Sequence, residues 1–253
     1  YRHIVHLSSQ YLDEAHEWVK YLRHVTNTST QSLYDLLTDT YKYNNKIIPF
    51  QPIESDYYNI ILTKYERTGI YLEKRTGEAA VVKCCTMKNL NIYINSALVA
   101  IDSIDATDQS FQESMKLIRS WRPENTLTLR FLRSPKKTGI IWKKEEIGQS
   151  FSSWDISLLD GTVYLISKNI YKPHSMKTSL IGSVVSLISN SDIGGNNCIR
   201  ILNDELHIIL KTETDKDMLE WSFALYTAAA LANGSINQYY HLLHDINCSK
   251  IEK

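Results

Sequence analysis

From Thr138 onward the chain lays down a succession of short strand-like segments and then closes on one amphipathic stretch. Thr138–Lys144, Ser153–Leu159 and Thr162–Ile166 come first, and Asp160-Gly161 between the second and third is a hairpin turn signal. Ser179–Ser189, Cys198–Leu202 and Glu205–Lys211 continue the pattern, interrupted by the turn-rich Asn190–Asn197. The closing stretch brings Met218, Trp221, Leu225 and Ala229 onto one face at three- and four-residue spacing. Thr214 or Asp215 suits its first turn as a cap, and Gly234 suits its end. About seven short strands closed by a single helix is a distinctive order. Trp221 is large enough to plug the open end of a small barrel.

The beginning of the chain repeats the end of this unit. His3–Leu7 reads as a strand, followed by Ser8-Ser9 and a helix through Glu17-Trp18. Leu12, Ala15, Val19 and Leu22 make its apolar stripe. His207–Lys211, Thr212–Thr214 and the helix through Glu220-Trp221 follow the same plan. Residues 1–45 are therefore expected to hold the terminal strand and helix of a first such unit, plus a linker. The chain begins at Tyr1 and not at Met, and we read it as a piece of a longer protein.

Composition narrows the class. At 253 residues the chain has room for about two ordinary domains. Hydrophobic residues at 43% against 22% charged allow a sizeable core, unlike a disordered chain. The 28 basic and 28 acidic residues cancel, whereas a nucleic-acid binder advertises a basic excess, so no nucleic-acid partner is expected. No apolar run approaches the ~20 residues of a membrane helix. Cys84, Cys85, Cys198 and Cys248 form no CxxC pair, which points to reduced cysteines in a cytosolic protein.

Residues 137–233 resemble a pleckstrin-homology (PH) domain. The resemblance is carried by Lys137–Lys144, by Trp154 in the second strand, by the Asp160-Gly161 turn and by the Trp221 helix, in that order. It implies a seven-stranded β-barrel capped by a C-terminal helix, with residues 1–26 similar to the tail of another such domain. PH domains that bind phosphoinositides carry cations on the first two strands and the loop between them, because clustered charge attracts the headgroup. Lys136, Lys137, Lys143 and Lys144 supply half of that set. Asp155 and Ser157 stand where the other half lies, and Glu145 and Glu146 sit in the loop. The expectation is weak attraction to an anionic membrane through Lys136, Lys137, Lys143, Lys144 and Lys168.

Between Pro52 and Ser134-Pro135, both read as linkers, lies a separate unit at 57–133. Tyr58–Thr63 alternates like a strand, Leu98–Ile101 is an apolar run, and Thr126–Leu132 alternates again. Ser110–Arg119 reads as a helix with Phe111, Met115 and Ile118 on one face. This unit resembles a PDZ domain. Asn95–Asp105 stands where that family carries its Gly-Asp-x-Ile-Leu-x-Val-Asn-Gly stretch, Ser110–Arg119 where it carries the groove helix, and Arg67–Leu72 where it carries the carboxylate loop and groove strand. The resemblance implies a peptide site of Thr68, Gly69, Ile70, Tyr71, Leu72, Phe111 and Met115, in which a C-terminal peptide adds a strand beside Ile70–Glu73. Phe111, where family members that select Ser or Thr carry His, implies an apolar ligand residue. Two departures stand out: Thr68-Gly69-Ile70-Tyr71 replaces Gly-Leu-Gly-Phe, and Asn95-Ser96 replaces Gly-Asp.

No catalytic motif is present: there is no phosphate loop, no nucleophile elbow and no metal-ligand spacing. His241 and His244, on a tail helix expected within 234–253, lack a third ligand. We expect a mainly β protein with α (α+β), non-catalytic, without cofactor or metal, acting as a cytoplasmic scaffold or adaptor peripheral to membrane or cytoskeleton. Its partners are proteins, including C-terminal peptides with apolar residues, and more weakly an anionic membrane surface. A membrane-targeting region of a larger signalling enzyme and a structural subunit of a large assembly are the alternatives.

Overall fold

The computed structural model describes residues 54–63, 69–87, 90–122, 125–145, 150–169, 173–188, 197–203 and 206–236. All lie in the unit spanning Lys46–Lys253. The N-terminal repeat at residues 1–26, Thr68 and the tail histidines lie outside the described residues.

Two antiparallel sheets and two α-helices make up the described chain, which is mainly β. The first sheet comprises β1 (Tyr57–Leu62), β2 (Ile70–Glu73), β3 (Val81–Cys85), β4 (Ala97–Ile101), β5 (Ile104–Asp105) and β6 (Leu127–Leu132). Its order is β1-β6-β4-β3-β2, with β5 paired to β4. Helix α1 (Phe111–Ser120) lies between β5 and β6 in sequence. Alternation drives burial in β6, where Leu127, Leu129 and Phe131 point inward. They join Ile60, Leu62, Val82, Leu98 and Ile101, with Phe111, Leu117 and Ile118 of α1 packed against them. Strands β3 and β5 are additions to the elements read from the sequence.

The second sheet comprises β7 (Lys137–Lys144), β8 (Phe151–Leu159), β9 (Thr162–Ser167), β10 (Ser175–Ser179), β11 (Val184–Ile188), β12 (Cys198–Asn203) and β13 (Leu206–Lys211). Its order is β10-β9-β8-β7-β13-β12-β11. Helix α2 (Asp215–Asn233) follows it. One expectation is corrected here. The segment Ser179–Ser189 is not one strand: β10 ends at Ser179, a turn with Gly182 at φ 70° follows, and β11 begins at Val184. Seven antiparallel strands closed by one C-terminal helix are in keeping with the expected architecture.

The β8–β9 connection shows why Asp160-Gly161 is there. Both residues have positive φ, 49° and 68°, as a two-residue primed turn requires to match strand twist. Helix α2 is capped as its ends suggested. Thr214 accepts the N–H of Asp217, and Gly234 adopts the left-handed conformation and returns its N–H to Leu231. Met218, Trp221, Leu225 and Ala229 pack on Ile141, Leu158, Leu165 and Ile201. Leu231 leaves this core and joins Ala79, Ala97, Val99, Leu132 and Ile236 against the first sheet. A helix apolar on more than one side is one that is buried on more than one side, which accounts for the run Phe223–Ala232.

Trp221 is the largest group that α2 places in the second core, and Gly139 leaves room for it: a Cβ there would lie 3.3 Å from its ring. Trp221→Ala should cost about 3–5 kcal/mol in chemical denaturation.

Asp160 yields a second prediction. Burial pushes its carboxyl up, partly offset by Arg133, and Oδ1 has no hydrogen-bond partner among the described residues. A raised folded value means stability that is present in acid and lost as pH rises through it. Asp160→Asn keeps a residue suited to the turn and removes the desolvated charge. It should raise the thermal midpoint at neutral pH and flatten its decline between acid and neutral pH.

Candidate functional site

Strand β2 is the outer strand of the first sheet and pairs, among the described residues, with β3 alone. Among the described residues no strand pairs with its other edge, and such an edge is a template for another strand. Side chains alternate along it: Tyr71 is 49% exposed, while Ile70 and Leu72 pack on the core.

Opposite this edge runs α1. Its start is fixed by a capping box: Ser110 accepts the Glu113 N–H at 3.3 Å, and the Glu113 carboxylate takes the Ser110 N–H at 2.9 Å and its hydroxyl at 2.7 Å. From there 3.6-residue spacing turns Phe111, Ser114, Leu117 and Ile118 inward. Between β2 and α1 opens a cavity of about 310 Å³. Ile70 and Leu72 form one wall, Met115 and Ile118 the other, and Leu62, Trp121, Leu127 and Leu129 the floor. Arg119 brings a cation to this otherwise apolar space.

The structure thus places Ile70, Leu72 and Met115 around one cavity. Phe111 packs on the core at the opening turn of α1, outside the residues lining the cavity. Tyr71 faces away, and Gly69 sits beneath Met87, whose side chain occupies the space a Cβ would take. Trp121 and Arg119 line the cavity although no sequence motif singled them out. For Arg119 helical spacing was the available signal, since it lies one turn past Met115 on the same face; Trp121, the extended C-cap of α1, carried none.

Four of the five lysines read as a membrane patch have partners within the structure. Lys137 pairs with Glu220 at 2.8 Å and lies over the Trp221 ring. Lys143 is 8% exposed and lies over Trp154. Lys168 pairs with Asp155 at 3.2 Å, and Lys136 lies over Tyr93. Lys144 is half-buried on β7. Among the described residues no group of three His, Cys, Asp or Glu is arranged to hold a metal, and no helix is long and apolar enough to cross a membrane.

The chain matches no protein-family model and no curated protein. Solved structures do match. The C-terminal PH domain of human pleckstrin, in its solution structure, is 19% identical over 39% of this chain and 82% of that one, at a TM-score of 0.33. The C-terminal PH domain of pleckstrin crystallised with D-myo-Ins(1,2,3,5,6)P5 is 21% identical over 37% and 93%, at 0.30. The coiled-coil, RA and PH domains of Lamellipodin are 11% identical over 86% and 83%, at 0.35. What makes the second sheet PH-like is its own architecture: seven antiparallel strands in the order given above, capped by α2.

The capping box yields a pH prediction for the groove. The Ser110 hydroxyl and N–H hold the Glu113 carboxyl below its usual range. A lowered folded value means stability present above the ordinary carboxylate range and lost as pH falls through the folded value. Thermal melts of the wild type and Glu113→Gln should therefore differ at neutral pH and converge in acid.

Proposed function

We propose that this chain is a non-catalytic docking module whose first sheet captures the C-terminus of a partner protein. In this reading the first sheet and α1 form a PDZ-like domain spanning 57–133, beside a PH-like domain spanning 137–233. The observation that supports it is the open β2 edge facing α1 across an apolar cavity of about 310 Å³. A peptide strand lies antiparallel to β2 and takes up its free backbone groups, while alternate ligand side chains enter the groove. The cavity sits beside Ile70, at the beginning of β2, so the terminal apolar side chain goes there. The residue two before it reaches toward Phe111, which favours an apolar group. Arg119 stands at the cavity with its charge, suited to the terminal carboxylate. That role matters here because Thr68 takes the place of a loop glycine.

A membrane role ranks second. Lys137, Lys143 and Lys168 are engaged with Glu220, Trp154 and Asp155, which leaves less free charge for a headgroup. Attachment to anionic lipid through what remains is weak and lost with salt.

Fluorescence polarisation tests the groove with labelled peptides ending in apolar residues. Binding is expected at a Kd of about 10 µM, roughly 7 kcal/mol. Amidating the terminus or introducing Arg119→Glu should weaken it about tenfold, and Met115→Asp should abolish it without lowering the thermal midpoint. Equal affinity for acid and amide peptides would overturn carboxylate recognition. Absence of binding by every apolar-ended peptide would overturn the docking proposal.

A further inference from the structure

The turn between β2 and β3 is built into the second unit. The Arg75 side chain is 7% exposed. Its Nε donates to Glu73 Oε1 at 2.7 Å, and its Nη1 donates to Asn95 Oδ1 at 2.7 Å and to the Ala232 carbonyl. Beside it, the Gly77 N–H donates to the Asn233 carbonyl at 2.7 Å, and the Ala79 N–H to the Gly234 carbonyl at 3.0 Å. The acceptors are carbonyls at and just past the end of α2, a region where a helix leaves them without internal partners and where its dipole is negative. An arginine and two turn N–H groups from the first sheet satisfy them.

The fit leaves no slack. A Cβ on Gly77 would lie 2.2 Å from the Gly234 carbonyl oxygen, and one on Gly234, already at φ 71°, would lie 2.8 Å from that of Ala79. A second contact runs in parallel: Asn95 Nδ2 donates to the Asp160 carbonyl at 2.6 Å, and the Gly161 N–H donates to Ser134 Oγ at 3.1 Å. Leu231 and Ile236 bury an apolar patch against Ala79, Ala97 and Val99 beneath both.

We propose that the end of α2 is a clamp on the groove strand. Arg75 and Gly77 tie β2, through Glu73 and the β2–β3 turn, to the Ala232–Gly234 cap, so the PH-like unit sets how well the neighbouring groove accepts a peptide. Arg75 touches no ligand; it is a positioning residue. The effect on affinity rests on the peptide reading above, whereas the effect on β2 does not.

The test uses the whole chain, with hydrogen exchange at the Ile70–Glu73 amides bonded to β3 and polarisation of an apolar-ended peptide. Arg75→Ala should speed β2 exchange by about tenfold or more and weaken the peptide by a similar factor. Arg75→Lys, which keeps charge but not the planar fork, should fall between. Met115→Asp should abolish peptide binding and leave β2 exchange unchanged. Should Arg75→Ala unfold the chain, Arg75→Lys and Gly77→Ala carry the test, and β2 exchange and affinity must move together across them. Exchange and affinity within about twofold of wild type in these variants would overturn the clamp. A wild-type chain that binds no peptide, with β2 exchange still controlled by Arg75, would refute the peptide reading and leave the clamp on β2 standing.

Discussion

The buried guanidinium of Arg75 binds three parts of the chain that are far apart in sequence. A cation removed from water is costly unless its N–H groups find acceptors. Here the acceptors are Glu73 on β2, Asn95 just before β4 and the Ala232 carbonyl on the last turn of α2. Moving any one of these elements strands a buried donor of Arg75. The edge of the groove, the entry to the central strand of the first sheet and the end of the capping helix are therefore positioned together.

This junction gives Asn95 a structural role. Asn95 holds φ 61°. Asparagine tolerates that left-handed conformation better than most residues. Unlike glycine, it also has a side chain, which joins Arg75 to the Asp160 carbonyl. Ser134 and Pro135 read as a linker, yet both are buried, and the Ser134 hydroxyl takes the N–H of Gly161. A short polar segment between two patterned regions has the composition of a linker whether or not a neighbour folds onto it.

Elements with a strong period were legible. Helix α1 follows from Phe111, Met115 and Ile118, and β6 from the alternation of Leu127, Leu129 and Phe131. Strand β10 was not legible, because Ser-Met-Lys-Thr-Ser buries little and its inward residues are Met176 and Thr178. The neighbouring run from Ser179 looked like one strand because Ile181 and Val184 flank Gly182, whose positive φ breaks it. Around the groove, Ile70 and Leu72 were marked only by the resemblance to a PDZ domain, and Met115 by that resemblance and by helical spacing. Arg119 lies one turn past Met115 on the same face but was not singled out, and nothing in a linear pattern says that Trp121 comes to lie with Leu62 and Leu127 around one cavity.

Local physics was enough for the sequence to determine the Asp160-Gly161 turn, the Gly234 cap of α2, its N-cap to within Thr214 or Asp215, and the inward faces of most strands. Each depends on backbone preference or periodicity within a few residues. Tertiary structure alone decided that Gly77, Arg75 and Asn95 meet the end of α2 and the β8–β9 turn. It also decided that Lys137, Lys143 and Lys168 are engaged within the fold. Those outcomes depend on which distant groups arrive within hydrogen-bonding distance, and a charge or a glycine carries no mark in sequence of the partner it will meet.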